Sequence, residues 1–386
     1  MRFHLGNSLF LLCCLISSTV SAQGQFTDID FRHNCSGPGT SRGGPTDVRI
    51  NRIVEGVTRI FYAGDSPETS VRCNAYDDPQ VLYYDVYPAP ANSRNTTVIY
   101  IHGGGYNVGF ANNPGRGQSC EGFRELGAHC ISVEYRRGWV VGGDDAVAGH
   151  DLIPENAVRF RQAIELAKID AIDAWNHIHA NAESYGLPLE NGYVLIGNSA
   201  GSSIATRIAL TNANLDKKVA GVIVSFGTHE WDEPVVNTNF PVVIQHGLID
   251  AIQPAFDNHV YFDEDMPTAK GMFNLRDELL AKGVKVRHYV NAQQGHGYGS
   301  YHTDGSPVSY YEEALRFFED ISKGLEPELF TEWQFSMNDC SIQPPVVAGT
   351  KLRSDTFRYD PRQAAFENRM TPDQVFTTYG RPDKDC

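Results

Sequence analysis

The sequence has no basic block: 32 Lys and Arg stand against 47 Asp and Glu, a formal charge of −15. Such a surface repels phosphate backbones and anionic membranes, which argues against a nucleic-acid partner. No stretch approaches the roughly 20 apolar residues that span a bilayer, so the mature chain is expected to carry no integral membrane segment. No CxxC pair is present to suggest a structural zinc. Neither GxGxxG nor a trailing Lys marks a phosphate-binding loop. Internal repeats and low-complexity tracts are also missing. What is present is a chain of 386 residues, 41% hydrophobic and 20% charged, a balance that can bury a full globular core.

The first residues read as an address. Arg2 precedes a short apolar run, LFLLCCLI from Leu9 to Ile16, and Val20-Ser21-Ala22 places small residues where signal peptidase cuts. Residues 1–22 are therefore expected to be a signal peptide, cleaved before Gln23, and the protein to be secreted and extracellular. Of eight cysteines, Cys13 and Cys14 leave with that segment. The remaining six, Cys35, Cys73, Cys120, Cys130, Cys340 and Cys386, suggest three disulfides in an oxidising compartment. Fifteen pairings are open; joining neighbours makes the shortest loops. Asn34-Cys35-Ser36 and Asn95-Thr96-Thr97 are candidate glycan acceptors.

Residues 23–50 are polar and rich in Gly, Ser and Pro, an N-terminal arm. Beyond them short apolar runs alternate with helix-length stretches. Strands are expected at Val81–Tyr87, Thr97–Ile101, Cys130–Tyr135, Val194–Ile196, Val219–Phe226, Val242–Gln245 and Val284–Tyr289, with a helix over Glu155–Tyr185. Continuous β-branched runs separated by helices predict a mainly parallel central sheet with helices on both faces. One catalytic domain is expected to fill 51–323. From 324 to 386 the pattern loses its period, and the aromatic residues and cysteines there suggest a tail packed on the domain.

Two glycine-rich loops carry the chemistry. Gly197-Asn198-Ser199-Ala200-Gly201 follows the apolar strand Tyr193–Ile196 and precedes a stretch, Ser202–Leu210, able to form a helix. A nucleophile on such a turn sits in a strained backbone conformation, and glycines two residues away on either side remove the clashes. His102-Gly103-Gly104-Gly105-Tyr106 directly follows the strand Thr97–Ile101. Glycines there let backbone N–H groups approach a reacting carbonyl and stabilise the negative charge that develops on its oxygen.

These two loops resemble those of the HGGG-type esterases and lipases of the α/β-hydrolase superfamily, over roughly Val81 to Leu315. The segment Asp170-Ala171, Ala174-Trp175, Asn181-Ala182 and Tyr185-Gly186 is also similar to the helix that precedes the nucleophile in these enzymes. The resemblance implies an α/β-hydrolase fold, an oxyanion hole from the N–H groups of Gly104, Gly105 and Ala200, and a structural role for His102. The chain departs from many relatives at Asn198, where Asp or Glu is common, and at Tyr135-Arg136-Arg137-Gly138, where they carry Tyr-Arg-Leu-Ala-Pro-Glu.

The fold implies the chain order nucleophile, acid, histidine. Asp250 follows the strand Pro241–Gln245 within His246-Gly247-Leu248-Ile249-Asp250, a pattern that resembles the family's acid loop; Glu230 and Asp232 are its rivals. His296, between Gly295 and Gly297 just after the last strand, is the expected base, with His302 as runner-up. His177 and His179 fall in a helix and His288 in a strand. Ser199, Asp250 and His296 thus predict a serine esterase that needs no cofactor or metal. A peptidase or amidase on the same triad, and a hydrolase-like binding protein without catalysis, are the alternatives. Only fourteen residues (227 to 240) separate two of the strands, too few for a large helical lid. A small or absent lid and an open cleft are expected, suited to small-molecule or polymer-attached esters.

Overall fold

In a computed structural model of the chain, residues 35, 55–75, 78–90, 94–111, 120–138, 154–188, 192–212, 219–230, 233–248, 250, 252–255, 258–260, 267–291, 295–296, 310–335 and 350–354 are described. The signal segment, the arm apart from Cys35, and Asn34, Asp232, His302, Cys340 and Cys386 lie outside the described residues.

Ten strands make one sheet: β1 (Thr58–Phe61), β2 (Tyr83–Tyr87), β3 (Thr97–Ile101), β4 (His129–Val133), β5 (Tyr193–Asn198), β6 (Val219–Ser225), β7 (Val242–Gly247), β8 (Val286–Asn291), β9 (Phe330–Phe335) and β10 (Thr350–Ser354). They lie side by side in the order β1-β2-β4-β3-β5-β6-β7-β8-β9-β10. β2 pairs antiparallel with β1 and β4. Every other neighbouring pair is parallel. Parallel pairing requires a long crossover between strands, which a helix commonly supplies.

β3, β5 and β7 are buried along their whole length, as the apolar runs Val98–Ile101, Tyr193–Ile196 and Val242–Ile244 within them demand. Alternate side chains enter opposite layers. Ile99, Ile101, Leu195, Val222 and Ile244 share a core with α2 (Pro154–Asn181), α3 (Ala200–Thr206) and α4 (Met272–Ala281). Val98, Tyr100, Ile196, Ile223 and Val243 face α1 (Cys120–Glu125) and α5 (Tyr310–Ser322). Each fully buried Val, Leu or Ile contributes roughly 1.5–3 kcal/mol, so the two layers hold the sheet from both sides. This is the α/β-hydrolase architecture, with the strand ends carrying the motif loops at one edge.

Several elements depart from the sequence expectation. The run Val81–Tyr87 is divided: Pro79–Val81 pairs antiparallel with Val71–Cys73 in a separate ribbon, and Tyr83 begins β2. Leu82 is the switch, its N–H donating to the Ser70 carbonyl and its own carbonyl accepting from the Ser70 hydroxyl. The helix expected at Ser202–Leu210 begins at Ala200 and gives way to a π-helical turn, Arg207–Thr211. That turn carries buried Arg207 to Glu165, Glu230 and Glu233. The aperiodic segment after 324 supplies β9 and β10, which extend the sheet by backbone pairing. Residues 229–230, 258–259 and 268–270 form a small three-stranded sheet of their own. Cys35 is bonded to Cys73 and Cys120 to Cys130. No described helix is long and apolar enough to cross a membrane.

One buried ion pair ties α2 to the loop after β4. Asp170, fully buried, accepts from Arg136 Nε and Nη2 at 2.8 Å each and from the Arg136 backbone N–H at 2.9 Å. Arg72 adds a fourth donor at 2.9 Å. Deleting the carboxylate leaves a buried guanidinium uncompensated, so Asp170→Ala is expected to lower stability by about 3–5 kcal/mol. A urea unfolding curve should show the midpoint falling at an unchanged slope.

Candidate active site

The elbow is built by close approach. Ser199 sits between β5 and α3 with φ 54° and ψ −122°, a region that side chains rarely adopt. A Cβ on Gly197 would lie 2.0 Å from the Gly201 carbonyl oxygen, and one on Gly201 would lie 2.1 Å from the Ile101 oxygen. No other residue type fits at either place, which is the physical content of the GxSxG spacing. The Ser199 N–H donates to the Ser225 carbonyl at 2.9 Å, anchoring the turn to β6. The Ser199 hydroxyl makes no helix-capping bond and is left for other work.

Asp250 and His296 reach that hydroxyl in series. His296 Nδ1 lies 2.8 Å from Asp250 Oδ2, and His296 Nε2 lies 2.8 Å from Ser199 Oγ. Because a carboxylate only accepts, Nδ1 carries the proton and Nε2 offers its lone pair to the serine O–H. Asp250 is 1% exposed and its Oδ1 accepts the backbone N–H groups of Ile252 and Gln253 at 2.8 Å each. The Phe226 ring meets the His296 ring edge-on at 5.2 Å, walling one side of the imidazole. The three residues named from sequence thus touch in one line.

The rivals lie elsewhere. Glu230 is paired with Arg207 at 2.9 Å, and burial pushes its carboxyl up to about 7, against the pull of Arg207. His177 bonds the Tyr84 hydroxyl through Nδ1 at 2.9 Å. His288 is fully buried in β8 against the Phe273 ring. Asp232 and His302 fall outside the described residues.

The loop after β3 runs beside the elbow: a Cβ on Gly103 would lie 2.6 Å from the Asn198 oxygen. Gly104, at φ 123°, bends the chain so tightly that a Cβ would meet the Val108 oxygen at 1.9 Å. The loop is braced from below. His102 stacks on Tyr135 at 4.2 Å, and the Tyr135 hydroxyl donates to the His102 carbonyl at 2.8 Å. His102 Nδ1 lies 2.7 Å from the Gly103 oxygen, and Nε2 lies 3.5 Å from Glu134.

Glu134 is a site residue the sequence reading missed. It is buried, and burial alone would raise its pKa, yet Arg137 and His102 hold it down at about 2. Its carboxylate accepts the Ala111 N–H at 2.8 Å and Arg137 Nε at 3.0 Å. An acid at the end of an apolar strand, followed by Tyr135 and then two arginines, was the only signal for it.

Tyr106 was missed as well. It follows the three glycines with φ 57°, a costly conformation for a large side chain, of order 1–3 kcal/mol. Its buried hydroxyl donates to the Ala200 carbonyl at 3.2 Å, so it bolts the glycine loop to the elbow. A cavity of about 20 Å³ beside it, walled also by Phe160, Ser203, Thr228 and Gln253, has room for about one water and for no substrate. Tyr106→Phe keeps the ring and removes the hydroxyl that makes this bond. It is expected to lower kcat up to about tenfold, one hydrogen bond's worth, with KM little changed in steady-state ester hydrolysis.

No family model matches the chain. Among solved structures it is similar to esterase 2 of Thermogutta terrifontis. The apo form is 16% identical with a TM-score of 0.45, over 72% of this chain and 98% of that one. The propionate-bound form is 17% identical with a TM-score of 0.45, over 72% and 99%. A form phosphorylated by paraoxon is 16% identical with a TM-score of 0.42, over 72% and 98%. At this identity and quality of superposition the likeness carries no chemistry over to this chain.

Proposed function

We propose that this protein is a secreted serine hydrolase that cleaves carboxylic esters through Ser199, His296 and Asp250. The single observation that carries the reading is the unbroken series of two 2.8 Å contacts, Ser199 Oγ to His296 Nε2 and His296 Nδ1 to Asp250 Oδ2. Ser199 Oγ attacks the ester carbonyl carbon while His296 Nε2 takes its proton. The imidazolium so formed faces the buried Asp250 carboxylate, which stabilises it. The carbonyl oxygen becomes an oxyanion, for which the N–H groups of Gly104, Gly105 and Ala200 are the assigned donors. His296 then returns the proton to the departing alcohol, leaving an acyl-enzyme. Water, deprotonated by the same imidazole, releases the acid and restores Ser199.

The substrate class is a small-molecule or polymer-attached ester. Secretion is supported by Arg2, the apolar run Leu9–Ile16 and Val20-Ser21-Ala22, together with two disulfides of the kind found in oxidising compartments. Asn95 is exposed just ahead of β3, as a glycan acceptor requires; Asn34 is the second proposed acceptor. A fluorophosphonate probe tests the chemistry: the expected result is one covalent adduct, mapped by peptide mass to Ser199. An unlabelled native protein that also leaves short-chain nitrophenyl esters intact would sink the proposal and favour a binding protein.

A further inference from the structure

We propose that His246 is a positioning residue for the triad acid: its Nε2–H holds the Asp250–Gln253 turn closed and turns its polar edge toward the Asp250 carboxylate. This rests on the triad proposed above and names a residue that works through it. His246 is the penultimate residue of β7 and is fully buried. Its Nε2 lies 2.9 Å from the Gln253 carbonyl oxygen and 3.7 Å from Asp250 Oδ2.

The peptide units of Gln253 are thereby gripped at both ends. The Gln253 N–H donates to Asp250 Oδ1 at 2.8 Å, and its carbonyl accepts from His246. Its side chain is held too, with Oε1 accepting from the Thr228 hydroxyl at 2.5 Å. Asp250 depends on this turn, because two of the donors that orient its carboxylate, the Ile252 and Gln253 N–H groups, belong to it. Loosening the Gln253 carbonyl therefore loosens the face of Asp250 opposite His296.

A space-filling role does not account for an imidazole here. With the proton on Nε2, Nδ1 is buried and has no hydrogen-bond partner among the described residues. A phenylalanine or leucine in that place would carry no such desolvation cost. The neutral form is the one the geometry needs. A charged His246 would compete with His296 for Asp250, and burial lowers its affinity for a second proton.

The test uses the full chain, with His246→Phe, His246→Gln and His246→Asn, each made alone and in an Asp250→Asn background. The glutamine amide nitrogen is as many bonds from Cα as Nε2; the asparagine nitrogen falls short. On a short-chain nitrophenyl ester, His246→Phe and His246→Asn are expected to lower kcat about tenfold with KM within about twofold, and His246→Gln to regain most of the loss. In the Asp250→Asn background the same changes should cost less than about twofold, because coupled residues are not additive. Equal losses in both backgrounds, glutamine no better than asparagine, or full activity in His246→Asn would each overturn the proposal. Should His246→Phe fail to fold, the glutamine–asparagine pair decides. A wild-type chain that neither hydrolyses the ester nor takes the fluorophosphonate overturns the triad reading and this one together, before any variant is made.

Discussion

Replacing Ser199 with alanine is expected to lower kcat on a short-chain nitrophenyl ester about a millionfold, and replacing His296 with alanine to lower it about as much. The two losses coincide because the residues act as one unit. Without the hydroxyl the imidazole has nothing to activate; without the imidazole the hydroxyl keeps its proton and is a poor nucleophile. The double variant should be scarcely worse than either single one. The residue left should still outpace water by roughly 10³–10⁴, from binding and oxyanion stabilisation alone. Alanine is the informative replacement at 199, since it keeps the Cβ and hence the strained turn at φ 54°. The checking measurement is kcat for each variant, with circular dichroism to show an unchanged fold. A drop of only tenfold in Ser199→Ala would mean that another nucleophile does the work.

Asp250→Asn is expected to lower kcat about 10⁴-fold while leaving the backbone in place. Oδ1 still accepts the N–H groups of Ile252 and Gln253, so the turn survives. The change acts at Oδ2, now an amide nitrogen facing His296 Nδ1 across 2.8 Å. A donor there forces Nδ1 to accept and moves the ring proton to Nε2. That nitrogen then points its proton at Ser199 and cannot take one. The imidazolium of the transition state also loses its counter-charge. Steady-state rates across a pH series, with KM near the wild-type value, would check it. A loss confined to KM would instead assign Asp250 to substrate binding.

The elbow and the glycine loop were legible in the sequence because their constraints are local. Gly197 and Gly201 are dictated by contacts within two residues of Ser199 and with the neighbouring strand end, and the apolar runs before each loop announce the strands that hold them. His296 was legible for a similar reason, its flanking glycines and its place just beyond a strand. Asp250 followed from chain order once the fold was recognised. The last two strands, β9 and β10, were not legible, since they extend the sheet through backbone pairing that needs no side-chain period. The division at Leu82 depends on Ser70, twelve residues away, and left no mark in the alternating pattern.

The supports of the site lay further out of reach. Tyr106 bonds a carbonyl 94 residues along the chain, Arg136 finds its acid 34 residues on, and Glu134 meets His102 only because β3 and β4 are neighbours in the sheet. By itself the sequence determined which groups the proposed chemistry draws on and their order along the chain, because reactive groups and tight turns are written in neighbouring residues. Tertiary structure alone decided what holds those groups still. A buried carboxylate, a phenol or a second imidazole becomes a brace only when the sheet closes the distance to its partner, and that distance is set by packing, not by spacing along the chain.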